Sequence, residues 1–191
     1  MYIGFVMAFL LLFLICVFIS LGVAVMASVS DVRGMIIPNR YTVYVIAAFA
    51  LAYSVLHVGG HDHVFGNLLS HFLSAGLFLG VTFIMFLTGA LGAGDSKLGT
   101  AYAFWFSLHD LPVYLFFMAL FGGLLGVVSL GIRRWKPFDT APEGSWVAQV
   151  QGGASKVPYG VAIGLGTLIA FFYAGYFDTA LLGSFLTVKQ G

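Results

Sequence analysis

Ala8-Phe9-Leu10-Leu11-Leu12-Phe13-Leu14-Ile15-Cys16-Val17-Phe18-Ile19 is the centre of an apolar run, 3–29, that ends against Ser30-Asp31-Val32-Arg33. A bilayer's hydrocarbon core of about 30 Å is crossed by about 20 apolar residues as a helix. The run meets that length without a charge. It reads as a retained transmembrane helix and not as a cleavable signal, because no basic residue precedes it and it outlasts a signal's apolar region.

Outward from this run, the same ruler predicts further spans at approximately 40–57, 64–88, 96–109, 112–132 and 157–177. Pro38, Pro112 and Pro158 stand at span starts, where the missing N–H costs nothing. The expected fold is therefore all-α: a polytopic membrane protein of six transmembrane helices, forming a single membrane-embedded domain over 1–191. Composition agrees, since 61% of the residues are hydrophobic and only 8% charged. A mean hydropathy of +1.04 exceeds what a soluble core of this size can hide. The tail, 178–191, is too short for another span.

Basic residues set the orientation. With the N-terminus outside, the inner loops carry Arg33, Arg40, Lys97, Arg133, Arg134, Lys136 and Lys156, and the outer face keeps only Lys189. Seven of the eight basic residues on one side satisfies the positive-inside rule. Net charge is +1 and no broad basic surface exists, so nucleic acid is not an expected partner, whereas membrane lipid is. The single Cys16 leaves no intrachain disulfide and no cysteine zinc site. The inner loop 133–156, rich in Gly, Pro and polar residues, is expected to be solvated, with Asp139 and Glu143 exposed on it.

Asp31 and Asp95 both fall on the cytoplasmic edge in this arrangement. A carboxylate beside the hydrocarbon is costly and marks a functional site by default. Two brought together cannot both ionise cheaply and share a proton. One then serves as general base toward water while the other, protonated, donates to a carbonyl oxygen. Gly92 and Gly94 are expected to permit positive φ and close backbone approach before Asp95, and Lys97 to bias the local charge or hold a carboxylate. Taken singly, each aspartate also suits a plain cap, Asp31 of a turn or in a pair with Arg33, Asp95 at the start of the fourth helix. Rival chemistry is poorly supplied. His57, His61, His63, His71 and His109 all map to outer loops or their flanks, away from any inner nucleophile. His57, His61, Asp62 and His63 resemble a metal cluster only in composition, and no metal is assigned.

Three motifs now carry a resemblance. Asp31, Arg33 and Ile37-Pro38-Asn39 follow the first long helix; Gly92, Gly94-Asp95 and Lys97-Leu98 open the fourth; Pro158-Tyr159-Gly160-Val161-Ala162-Ile163 opens the last. Together they resemble the type IV prepilin peptidases, intramembrane aspartyl proteases of the GxGD class. The resemblance implies that Asp31 and Asp95 are the catalytic pair, supported by Gly92, Gly94, Lys97, Arg33, Pro38, Asn39, Pro158, Tyr159 and Gly160. It implies a hydrolase without cofactor that removes the short leader of prepilin-like precursors at the cytoplasmic face of the bacterial inner membrane. Larger members carry a cysteine-bearing insertion near the first aspartate and also methylate the new N-terminus. Here only seven residues separate Asp31 from Asn39, so the chain looks like the short form that accompanies tight-adherence (Flp-type) pili, with leader cleavage alone. Self-association is compatible with the sequence. Two other readings stand beside this one: a small proton- or cation-coupled transporter, and a non-enzymatic component of a pilus or secretion machine.

Overall fold

The computed structural model describes residues 2–185, and every regular element among them is a helix. In chain order these are α1 (Tyr2–Gly34), α2 (Asn39–Val58), α3 (Leu68–Leu87), α4 (Ala93–Ala103), α5 (Leu111–Trp135), α6 (Trp146–Gln151), α7 (Tyr159–Tyr173) and α8 (Thr179–Ser184). Four stretches are long and apolar enough to cross a membrane: Met7–Gly34 within α1, then α2, α3 and α5. The chain is thus built as a multi-pass membrane protein. Lys189, the basic residue expected on the outer face, lies outside the described residues.

The chemistry of the surface explains the bundle. On α1, Phe13, Cys16, Val17, Ala24 and Ala27 are buried, while Leu11, Ile15, Phe18 and Val25 face outward. Both faces are apolar because one packs against helices and the other meets lipid. At the centre, Tyr102, Trp105, Phe106 and Tyr114 are fully buried. Short connections make α1 to α5 alternate in direction. This gathers the end of α1 and the starts of α2, α4 and α7 at one end of the bundle. There α7 packs between α1 and α5, and α4 is wedged against α2, α3 and α7.

Three local departures from the sequence reading bear on function. First, α1 runs past residue 29 to Gly34, so Asp31 sits in the last turn of a helix and not in a loop. The helix stops at Met35, whose φ of 53° is left-handed; the Met35 N–H bonds back to Asp31 O at 2.8 Å. Second, the fourth apolar segment, expected over 96–109, is an 11-residue helix that ends at Ala103 within the bundle. At about 1.5 Å per residue it rises only about 16 Å. Third, the loop between α5 and α7 is folded. Ser145 caps α6 by accepting from the Ala148 N–H at 3.2 Å. Trp146 is buried, with its indole N–H 3.1 Å from both Ser129 Oγ and Lys156 O. Gln151 binds the Phe138 backbone through both its amide oxygen and its amide nitrogen. Asp139 and Glu143 remain exposed on this strap.

Candidate active site

Asp31 is 4% exposed, an acidic side chain buried at the end of an apolar helix. Its Oδ2 accepts the Gly160 N–H at 2.7 Å. Gly160 lies in the first turn of α7, where backbone N–H groups have no partner within the helix. Asp31 therefore caps a helix 129 positions away in sequence. Pro158 begins that helix as its N-cap. The approach is so close that a Cβ on Gly160 would lie 3.0 Å from both Cβ and Oδ2 of Asp31, and 3.2 Å from Ile37 Cδ1. Ser28, one turn before Asp31, extends the seam: its hydroxyl lies 3.1 Å from Gly160 O and 2.8 Å from Ala24 O.

Asp95 is held locally. It is the third residue of α4, and its Oδ2 accepts the Gly92 N–H at 3.2 Å. This is half of a capping box, with glycine at the N-cap. A Cβ on Gly92 would sit 2.7 Å from that carboxylate oxygen. Gly92 has a φ of −74°, and neither it nor Gly94 is among the residues with positive φ. The expected left-handed turn is thus absent, and what the glycines provide is close approach. A Cβ on Gly94 would meet Ile37 Cβ at 3.3 Å.

Ile37 joins the two halves of the site. Its backbone and Cβ lie against Gly94, and its Cδ1 against Gly160. Among the described contacts no hydrogen bond joins the two carboxyl groups, yet they sense each other. Asp95, outside the four spanning helices, is pushed up to about 7 by burial and then by the Asp31 charge, with the Gly92 N–H pulling the other way. Near neutral pH Asp95 therefore retains its proton part of the time, and the pair can share it. Such a pair can take a proton from water with one oxygen and give one with another.

The other expected residues divide. Lys97 Nζ donates to Asn39 Oδ1 at 3.3 Å, tying the start of α2 to α4; among the described residues it holds no carboxylate. Pro38 is the N-cap of α2 with φ of −61°. Arg33 forms no ion pair with Asp31 among the described residues and lines an open groove of about 610 Å³ with Val29, Ser30, Ile36 and Tyr41. Tyr159 packs on α5, where a Cβ on Gly122 would meet its ring at 3.0 Å. The sequence reading noted Ile37 only as part of a motif, and it passed over Ser28 and Met35. Small residues spaced four apart before Asp31, Ala24 and Ser28, were the available signal for the seam. Nothing in the sequence marked Met35, since Gly34 beside it was the natural candidate for a left-handed turn. At the opposite end of the bundle, His57 pairs with Asp62 at 2.7 Å and the His61 ring lies against Phe185.

The comparisons with known proteins bear on this geometry. The chain is 29% identical over 163 residues to a prepilin leader peptidase/N-methyltransferase of Bacillus subtilis (strain 168), covering 85% of this chain and 56% of that protein. It therefore spans little more than half the length of this curated relative. No solved structure matches it. The profile of the type IV leader peptidase family matches residues 16–127, which include both Asp31 and Asp95. With more than half of its residues so matched, the chain belongs to the type IV leader peptidase family.

Proposed function

We propose that this chain is a membrane aspartyl endopeptidase that removes the leader peptide from prepilin-like precursors, with Asp31 and Asp95 as its catalytic pair. The observation that carries the reading is the coupling of a raised Asp95 to a buried Asp31 across the Ile37 contact. In the mechanism, Asp31 is the carboxylate: its Oδ2 faces the Gly160 N–H and the positive N-terminal pole of α7. It takes a proton from water as that water attacks the scissile carbonyl. Asp95 carries the shared proton and donates it to the carbonyl oxygen, giving a gem-diol; as the C–N bond breaks, Asp31 passes the proton it took from water to the leaving amine and Asp95 takes one back from a diol hydroxyl, which restores the pair. Gly92 and Gly94 bare the backbone beside Asp95, which suits an extended substrate strand.

Six crossings, with the fourth over 96–109, the sixth over 157–177 and the N-terminus outside, would place both aspartates at the cytoplasmic edge of the inner membrane. The basic residues of the inner loops support that orientation. The seven-residue spacing from Asp31 to Asn39 supports the short, Flp-associated form, with cleavage and no methylation. Coexpression with a prepilin tests the reading. Asp31→Asn and Asp95→Asn are each expected to lower processing by about 10²–10⁴-fold, read as precursor-to-mature ratio on gels. Intact processing in both variants would end the protease assignment.

A further inference from the structure

The face of α1 opposite Asp31 carries the open groove. Ala24, Ala27 and Asp31 are buried together on one side of this helix. At about 100° per residue, Met26, Val29 and Arg33 stand about 160–220° around the axis from Asp31. Val25, Met26 and Val29 are exposed there, and they line the groove with Arg33, Gly34, Ile36 and Tyr41. Ser30 Oγ donates to Ile36 O at 2.7 Å, which holds the segment after α1 against its last turn.

The groove is apolar along its wall and cationic at one end. Val25, Val29 and Arg33 follow one another at i, i+4 spacing, so they form a single stripe about 12 Å long. Arg40 adds a second cation, with its guanidinium 5.5 Å from the centre of the Tyr41 ring that lines the groove. Neither arginine has a carboxylate partner: the ion pairs among the described residues are His57–Asp62 and His109–Asp110. Asp31 is engaged by Gly160 and Asp95 by Gly92. Gly34 leaves the groove roomy, since a Cβ there would meet nothing within 4 Å.

That order of chemistry selects the occupant. Met7–Gly34 is long and apolar enough to cross a membrane, so its outward face meets acyl chains. A free anion would use the arginines and have no need of the apolar wall. An apolar helix would use the wall and leave two guanidinium groups unpaired. A second copy in symmetric contact would set like charges against each other. An anionic phospholipid matches both parts, with an acyl chain along Val25, Met26 and Val29 and its phosphate at the arginine end. The planar guanidinium binds phosphate oxygens in pairs, and basic pockets beside spanning helices recognise lipid headgroups by the same chemistry.

We propose that this groove binds one anionic phospholipid, held by Arg33 with Arg40 beside it. The site is independent of the protease reading and is tested without cleavage. The full chain in detergent micelles is titrated with phosphatidylglycerol or with phosphatidylcholine, and retained lipid is counted by native mass spectrometry. One phosphatidylglycerol is expected to stay bound, and phosphatidylcholine to be lost. Arg33→Gln is expected to weaken phosphatidylglycerol binding about five-fold, and Arg33→Lys to weaken it less. Gly34→Leu fills the groove and is expected to lower retention with both arginines in place. Should that variant fail to fold, Arg33→Gln, a change at an exposed position, decides the matter. Equal retention of the two lipids, or unchanged retention in Arg33→Gln, overturns the proposal. Glycerol phosphate that competes as well as the whole lipid overturns it in favour of a free-anion site. A dimer that forms without phosphatidylglycerol and is lost in Gly34→Leu overturns it in favour of a second copy.

Discussion

Asp31 and Asp95 are chemically alike and are held in opposite ways. Asp95 is bound by its own helical turn, three positions from its partner Gly92, and is partly open to solvent. Asp31 is buried and bound by Gly160, which the chain reaches only after passing through α2 to α6. One carboxylate can be placed by a tetrapeptide, the other only by the finished bundle. Half of the site thus depends on how α1 and α7 pack, and its geometry is only as firm as that packing.

The contrast can be broken most directly at the two glycines. Gly160→Ala forces a Cβ against the buried Cβ and Oδ2 of Asp31. We expect cleavage to fall at least about ten-fold and stability by about 1–2 kcal/mol, despite the better helix propensity of alanine. Gly92→Ala meets only the tip of a side chain that can turn aside. It should leave stability nearly unchanged and lower activity less. Thermal unfolding and prepilin processing, run on both variants, check this. Equal losses would mean that the two aspartates are held alike.

A subtler probe is pH. The carboxyl of Asp95 is raised from 3.8 to about 7 on folding. A group raised in the folded state binds its proton more tightly there, so its contribution to stability is full below about 4 and is lost as pH rises through about 7. Asp95→Asn removes that dependence. The variant should match wild type at low pH and exceed it at pH 8, by denaturant unfolding in detergent. A gap that widens toward acid would contradict the burial of Asp95 beside Asp31.

The smallest effect is expected at Met35. Its left-handed conformation costs a non-glycine residue about 1–2 kcal/mol, which the Met35 N–H bond to Asp31 O helps to hold. Met35→Gly relieves that cost but frees the unfolded chain, so a net gain of only about 0.5 kcal/mol is expected. A loss would show that the methionine side chain itself supports the Asp31 turn.

The same division governs what could be read from the sequence. The four long spans were legible because lipid imposes their length, whereas the expected 96–109 and 157–177 segments proved to be helices of 11 and 15 residues; Pro38, Pro112 and Pro158 marked helix starts through their missing N–H groups. The Gly92–Asp95 turn was local and readable, although close approach and not positive φ proved to be the reason for its glycines. The Asp31–Gly160 bond and the Ile37 contacts were hidden, since they join segments far apart in sequence. Helix α6 was missed because six residues in a polar loop give no period, and its anchor is one buried indole, Trp146.

Helix α7 has a consequence for the lipid around it. Its 15 residues rise about 22 Å, while a bilayer's apolar core measures about 30 Å. Leu165, Leu168 and Phe172 show that one edge of α7 faces outward. With α7 as the proposed sixth crossing, the acyl chains along that edge would shorten or tilt to meet it and thin the bilayer locally. The N-terminus of α7 is where Gly160 holds Asp31. On that proposal the hydrocarbon barrier would be lowest beside the carboxylate proposed to activate water.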